Sequence, residues 1–433
     1  MEEPADNKNT AWFNGNSTKV IALVFLVIAG IAIYSYSKKP VKDTQTQVKK
    51  SPQEILIESK GLPELSDVNN NKAIVLSPLE KQVAEKISKA LELAGDGKDK
   101  TKNKQTLDAI SKVIQESPDY SDAYFLRATY SLMIGNNDYQ DIKNDIDSAL
   151  KYRMASKYQS SFDSNASIYA LRSKIDILTG NYQQAMDDLE TAVKVDLTKE
   201  SDVFNTGGVK PDDNSNLTAL QKNDLDLLVS KYPNDSRAYI FRGLFYNSFS
   251  FYDTQYYSPA INDLNKAISI NPNSSLAYYF LGSVYQKIAF NIYAFKINGG
   301  STSDYDLQRN KANEKSLGYF KQAISIDPQF ADAYAQIAQS LYSLQRYSEA
   351  LPYYDKVIIL QPDNSGAYND RGLTKTYLNN EYDAISDFTE SINIKSKAKP
   401  DTSILETTFE NRANAYIKVS KTARLMIIVG LSA

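Results

Sequence analysis

Two regimes of hydrophobic patterning divide this chain. Beyond Leu79, apolar residues recur at helical spacing in runs of about 12 to 15, punctuated by short stretches of Pro, Asn, Asp and Gly. That rhythm predicts one helical hairpin after another. Residues 20–34 are instead apolar, aromatic or Gly without a break, and Ser35 and Tyr36 extend the run to about 17, the lower limit for a helix crossing a bilayer. Residues 37–79 are rich in Lys, Gln, Thr, Ser, Asn and Pro, lack an apolar period and read as a flexible linker. The expected organisation is a short polar tail at 1–19, a transmembrane anchor at 20–36, that linker, and a helical array at 80–433.

The second halves of the hairpins fall on one frame: a small residue, a second small residue twelve later, an apolar ring or branch four beyond, a small apolar residue three beyond, and Pro five beyond. Ala338, Ala350, Tyr354, Val357 and Pro362 set it. Gly372, Ala384, Phe388 and Ser391 keep it, as do Ser173, Ala185, Leu189 and Ala192. Three further copies lengthen the turn: Ala128 with Ile142, Ile146 and Ala149; Gly243 with Ala260, Leu264 and Ala267; Gly282 with Ser316, Phe320 and Ala323. The two larger insertions lie near 249–258 and 286–315 and are expected as loops between helices.

Each position has a physical reason. Antiparallel helices approach closely only where side chains are small. An aromatic four residues before the first small residue (Tyr124, Tyr169, Tyr239, Tyr278, Tyr334, Tyr368) fills the gap to the neighbouring hairpin. Pro cannot continue a helix and turns the chain toward the next unit. One hairpin cannot bury both of its faces, so stability comes from stacking.

The segment 332–362, with Ala333-Tyr334, Arg346-Tyr347, Glu349-Ala350 and Tyr353-Tyr354, resembles a tetratricopeptide repeat, and Asn369-Asp370-Arg371-Gly372 with 382–388 resembles a common bacterial variant. The resemblance covers about residues 80–420 with six full copies and implies an all-α superhelical array of antiparallel hairpins, here preceded by a single transmembrane helix. It also implies a protein-binding scaffold. Around 220–233 only a second helix is evident, and Phe409, Arg412, Ala413 and Tyr416 begin a last hairpin whose tail reads as a cap.

Composition narrows the chemistry. The net charge of −3 with mixed signs gathers no polyanion, so nucleic acid is not an expected partner. With no Cys and no His, thiolate nucleophiles, imidazole bases and the commonest metal ligands are absent, and neither catalysis nor a cofactor is expected. Gly207-Gly208 and Gly299-Gly300 lack the spacing of a phosphate loop. A cleaved signal at 35–37 or 30–32 is the alternative to a retained anchor. Lys38, Lys39, Lys42, Lys49 and Lys50 follow the span while only Lys8 and Lys19 precede it, which favours a cytoplasmic array. A short tail ahead of a signal-anchor argues for the opposite side.

First-helix residues expected to face a concave groove are Ile240, Leu244, Asn247, Tyr279, Ser283, Gln286, Gln339, Tyr342, Ser343, Asn369, Leu373 and Tyr377. That surface is uncharged and suits a peptide or helix of a partner protein. The alternative is a chaperone-like or assembly factor of a secretion or envelope complex. Arg127, Arg172, Arg242, Arg371 and Arg412 precede the small residue and are expected to pack their stems while bonding backbone carbonyls at the turn, the alternative being a ladder that binds acidic peptides. Phe245, Tyr246, Phe249, Phe251, Tyr252, Tyr256 and Tyr257 crowd one insertion, either packed inward or as a patch for self-association.

Overall fold

The computed structural model describes residues 78–94, 99–155, 165–195, 220–250, 253–297, 304–397 and 402–428. The expected anchor, its possible cleavage sites and nearly all of the linker lie outside them. Among the described residues no helix is long and apolar enough to cross a membrane, and no strand occurs.

Sixteen α-helices and one short 3-10 segment account for the described regular structure. Seven hairpins pair α1 (Pro78–Ala94) with α2 (Lys100–Glu116), α3 (Ser121–Met133) with α4 (Tyr139–Ala155), and α5 (Asn165–Leu178) with α6 (Tyr182–Val195); α8 (Ser236–Ser250) with α9 (Tyr257–Ile270); α10 (Ser275–Ile297) with α11 (Tyr305–Ile326), α12 (Ala331–Ser343) with α13 (Tyr347–Leu360), and α14 (Ser365–Tyr377) with α15 (Glu381–Lys397). α7 (Lys222–Lys231) stands as a second helix before α8, and α16 (Thr402–Ile428) packs on α15. The pair α1/α2 is a hairpin outside the six framed copies. Its second helix buries Thr106, Ile110 and Val113 ahead of Pro118, which is the same second-half frame, with Val113 in the slot of Val357.

Two turns repeat along the array. Within compact hairpins the chain reverses through one left-handed residue: Gly135, Gly180, Gln345 and Asn379 have φ of 80°, 81°, 60° and 58°. The following amide then reaches back to the same kind of carbonyl each time, as in Arg346 N to Leu341 O at 2.9 Å and Asn380 N to Lys375 O at 2.9 Å. Between hairpins the residue before Pro closes the helix, for instance Asn271 N to Ala267 O at 2.8 Å and Gln361 N to Val357 O at 2.7 Å. Pro then prevents continuation.

The frame residues form the core. Ala338, Ala350, Tyr354 and Val357 are all buried, as are Ala384 and Phe388. Glycine is required where the facing residue is Phe. A Cβ on Gly372 would lie 2.7 Å from Phe388 Cε1, and one on Gly282 would lie 2.7 Å from Phe320 Cε1. Both rings are wholly enclosed and cannot swing away. Gly372→Ala is therefore expected to destabilise by about 1 kcal/mol or more, because overpacking outweighs the gain in helix propensity. A lower urea midpoint at unchanged slope would register it.

One insertion differs from its expectation as a loop. Residues 286–315 are mostly helix: α10 has 23 residues and α11 has 22. The inserted sequence contains no Pro and keeps apolar residues in helical register at Ile288, Ala289, Ile292 and Tyr293, so both helices simply continue. The insertion near 249–258 is a true turn with a short 3-10 segment at Thr254–Tyr256.

Candidate functional site

The arginine ladder is built from two carboxylates rather than from turn carbonyls. Arg127, Arg172, Arg242 and Arg371 each donate to an Asp one residue before the apolar ring or branch of their own second helix: Asp145 at 2.8 Å, Asp188 at 2.7 Å, Asp263 at 2.8 Å and Asp387 at 2.9 Å from Nε. Three of them hold a second carboxylate from the preceding second helix, Asp147 at 2.9 Å, Asp226 at 2.8 Å and Asp355 at 2.6 Å. The guanidinium also lies over the aromatic three residues earlier, 5.3 Å from the Tyr169 centroid for Arg172. These carboxylates hold Arg127, Arg172 and Arg242 above the usual arginine range. At Arg371 burial works against protonation, but the Asp387 and Asp355 bonds outweigh it.

This arrangement joins neighbouring hairpins and is structural. The sequence carried the signal: where Leu281 or Ile337 replaces Arg, the own-helix Asp becomes Tyr319 or Tyr353. In place of the ion pair, Tyr319 stacks on Tyr285 at 5.6 Å.

The twelve residues expected on one groove divide. Ile240, Leu244, Asn247 and Tyr279 are buried and offer no surface, which corrects their expected role. For the three on α8 the reason is that this helix is contacted by α6, α7, α9 and α10, which leave its Tyr239, Arg242 and Tyr246 side partly open. Asn247 is wholly enclosed and its carbonyl accepts from Ser250 Oγ at 2.7 Å and from Lys287 Nζ at 3.2 Å. Tyr279 stacks on Phe330 with centroids 4.9 Å apart.

The other eight keep access in different degrees. Gln339, Ser343 and Tyr377 are exposed, while Ser283, Gln286, Tyr342, Asn369 and Leu373 are half-buried. Gln286 Nε2 on α10 donates to Gln339 Oε1 on α12 at 3.1 Å, and Asn411 Nδ2 on α16 donates to Asn369 Oδ1 on α14 at 3.3 Å. Leu373 packs into the small cluster of Ala384, Phe388 and Ala415. Tyr342 is less outward than expected, because its ring meets Tyr347 at 5.3 Å and Tyr377 at 5.6 Å, and Tyr347 stacks on Tyr377 at 4.7 Å. Burial, with the Tyr377 hydroxyl beside it, raises the Tyr342 phenol well above its ordinary value. Tyr377 itself remains 55% exposed. Tyr347 completes this triad and was missed because it opens a second helix rather than lying on a first.

The described aromatics of the 249–258 insertion pack inward. Phe245, Phe249 and Tyr257 are buried, Tyr246 stacks on Tyr256 at 6.3 Å, and Asn291 donates to the Tyr257 hydroxyl at 2.6 Å from the extended part of α10. Phe251 and Tyr252 lie outside the described residues. A shallow depression of about 520 Å³ lies between the 231–236 turn and Ile270-Asn271. Its carboxylate, Asp235, is engaged by Arg237 at 2.8 Å and is structural.

Comparison with known proteins bears on the hairpins. Residues 331–364 match the tetratricopeptide repeat family model. No curated protein matches the chain. Among solved structures it is similar to MamA, at 20% identity over 41% of this chain and 87% of that one, with a TM-score of 0.31. A thermophilic TPR protein of Thermus thermophilus is 12% identical over 58% of this chain and 99% of its own, with a TM-score of 0.34. A tetratricopeptide repeat protein of Parabacteroides merdae is 16% identical over 77% and 99%, with a TM-score of 0.33. At these scores the likenesses carry no functional content. What the α12/α13 hairpin and the turn after it show, in frame, turn chemistry and family match alike, is that this chain carries a tetratricopeptide repeat at residues 331–364.

Proposed function

We propose that the chain is a membrane-tethered scaffold that holds a peptide or helix of another protein against the uncharged surface of α10, α12, α14 and α16. The observation that supports this most is the pair of contacts Gln286–Gln339 and Asn369–Asn411, which align amide side chains from successive first helices. Amides so placed have further donors and acceptors to offer an extended or helical segment. The exposed face of Tyr377 supplies contact area beside them at little entropic cost. The tether is the apolar run at 20–36, and the linker at 37–79 gives the array reach from the bilayer.

A photoreactive residue in place of Gln339 or Tyr377, in intact cells, is expected to capture a discrete protein, whereas the same residue at exposed Ser386 on α15 captures none. Capture from Ser386 alone would place binding on the second helices and overturn the proposal. Alkaline extraction should leave the full chain with the membrane. Release of the intact chain into the supernatant would remove the tether from the reading while leaving the groove.

A further inference from the structure

The last helix repeats a first-helix pattern for which the described chain supplies no second helix. α16 carries Phe409, Arg412 and Ala413 in the slots held by Tyr368, Arg371 and Gly372 in α14. The guanidinium of Arg412 lies 5.3 Å over the Phe409 ring, as its counterparts lie over their tyrosines. It packs beside α15 at the equivalent place, where Thr389 stands instead of Asp355, and Thr389 Oγ1 accepts from Arg412 Nη1 at a long 3.4 Å. No described carboxylate reaches it. Burial accordingly pulls Arg412 below the usual arginine range, the opposite of the four paired arginines.

Two further observations agree. The six equivalent small residues, Ala128, Ser173, Gly243, Gly282, Ala338 and Gly372, are buried beneath their own second helices, whereas Ala413 is only partly covered. α12 and α14 end five residues after the small residue, at Ser343 and Tyr377, and reverse through Gln345 and Asn379. α16 runs on without reversal to Ile428. Residues 411–433 contain no Asp or Glu, so this stretch cannot supply the missing carboxylate itself.

We infer that the Arg412–Ala413 face of α16 docks a helix of a partner protein that presents an Asp or Glu immediately before an apolar branched residue, and so completes the hairpin. The chain's own packing specifies that helix. Gly faces Phe or Leu and Ser173 faces Leu189, but Ala128, the residue after an Arg that like Ala413 is itself Ala, faces Ile146, with Asp145 holding Arg127 and Ala149 one turn on. Ala413 therefore suits the order apolar-x-x-acid-Ile-x-x-Ala, as read by Ile142, Asp145, Ile146 and Ala149. The carboxylate gains a charge-assisted fork from a guanidinium already half-desolvated, which favours an acidic helix over a neutral one.

The test titrates a labelled peptide of residues 139–155 into the full chain in detergent and follows anisotropy. Saturable binding is expected, weakened by about tenfold or more when the peptide carries Asp145→Asn or the chain carries Arg412→Leu. Leu is compatible with the fold, since Leu281 fills the same slot in α10, and circular dichroism verifies that the variant is folded. Absence of binding up to millimolar peptide, or binding equal for Arg412→Leu and the natural chain, overturns the inference. Self-association of the chain that is lost in Arg412→Leu would assign the face to a second copy and overturn it as well.

Discussion

Ala350→Arg is expected to melt the α12/α13 hairpin and to lower stability by about 4 kcal/mol or more, since overpacking combines with an unpaired charge driven into the core. Ala350 has no exposed surface and shares its cluster with Ala338 and Tyr354, so the longer side chain has no route to solvent without separating the helices. Stability in such an array is nearest-neighbour in character, and the loss should spread first to the flanking hairpins. Thermal unfolding followed by circular dichroism, with limited proteolysis to locate the break, measures it. Ser348→Arg, two residues away and exposed, is the control and should stay within about 0.5 kcal/mol of the natural chain. Equal melting of the two variants would contradict the packing described for α12 and α13.

The second large effect is expected at Asp387. Its carboxylate receives Arg371 at 2.9 Å and Lys375 at 2.8 Å, and is itself almost fully buried. Asp387→Ala leaves two cations, 18% and 17% exposed, with Asp355 as the remaining acid for Arg371. A loss of about 2 to 4 kcal/mol follows from stranding charge that water reaches only in part. The double change Arg371→Leu with Asp387→Tyr reproduces the Leu281 and Tyr319 combination of the α10/α11 hairpin and should recover a good part of it. Chemical denaturation of the single and double variants gives the coupling. An unaffected Asp387→Ala chain would mean that the ladder is surface decoration.

Much of the architecture was legible before any coordinates. The spacing from Ala338 through Pro362 located both helices of a repeat, and the same frame located five more copies. The residues opposite the small positions were legible too, because Phe388 and Phe320 stand where Gly372 and Gly282 leave room. The lone second helix before α8 was anticipated from Leu220 to Pro233. Less legible was the array's start, since α1 has no aromatic to mark the first-helix half of the frame.

The candidate surface was legible in only part of its length. Helical period determines which side of a first helix meets its own second helix, and that is a local property of the sequence. It does not fix how the next hairpin is rotated, and that rotation decides which remaining positions see water. Ile240 and Leu244 therefore vanished into the core where four helices pack on α8, and Tyr279 where α10 meets Phe330, whereas Gln339 and Tyr377 in equivalent helices stayed open. For the same reason the second carboxylate of Arg172, Arg242 and Arg371, on the preceding second helix, could be placed only by the tertiary structure. The sequence by itself determined the repeat, its turns and its small-to-large pairings, because these depend on contacts within about forty residues of chain. Tertiary structure alone decided the burial of α8 and the uncovered face at Arg412, because each depends on how one hairpin is set against another.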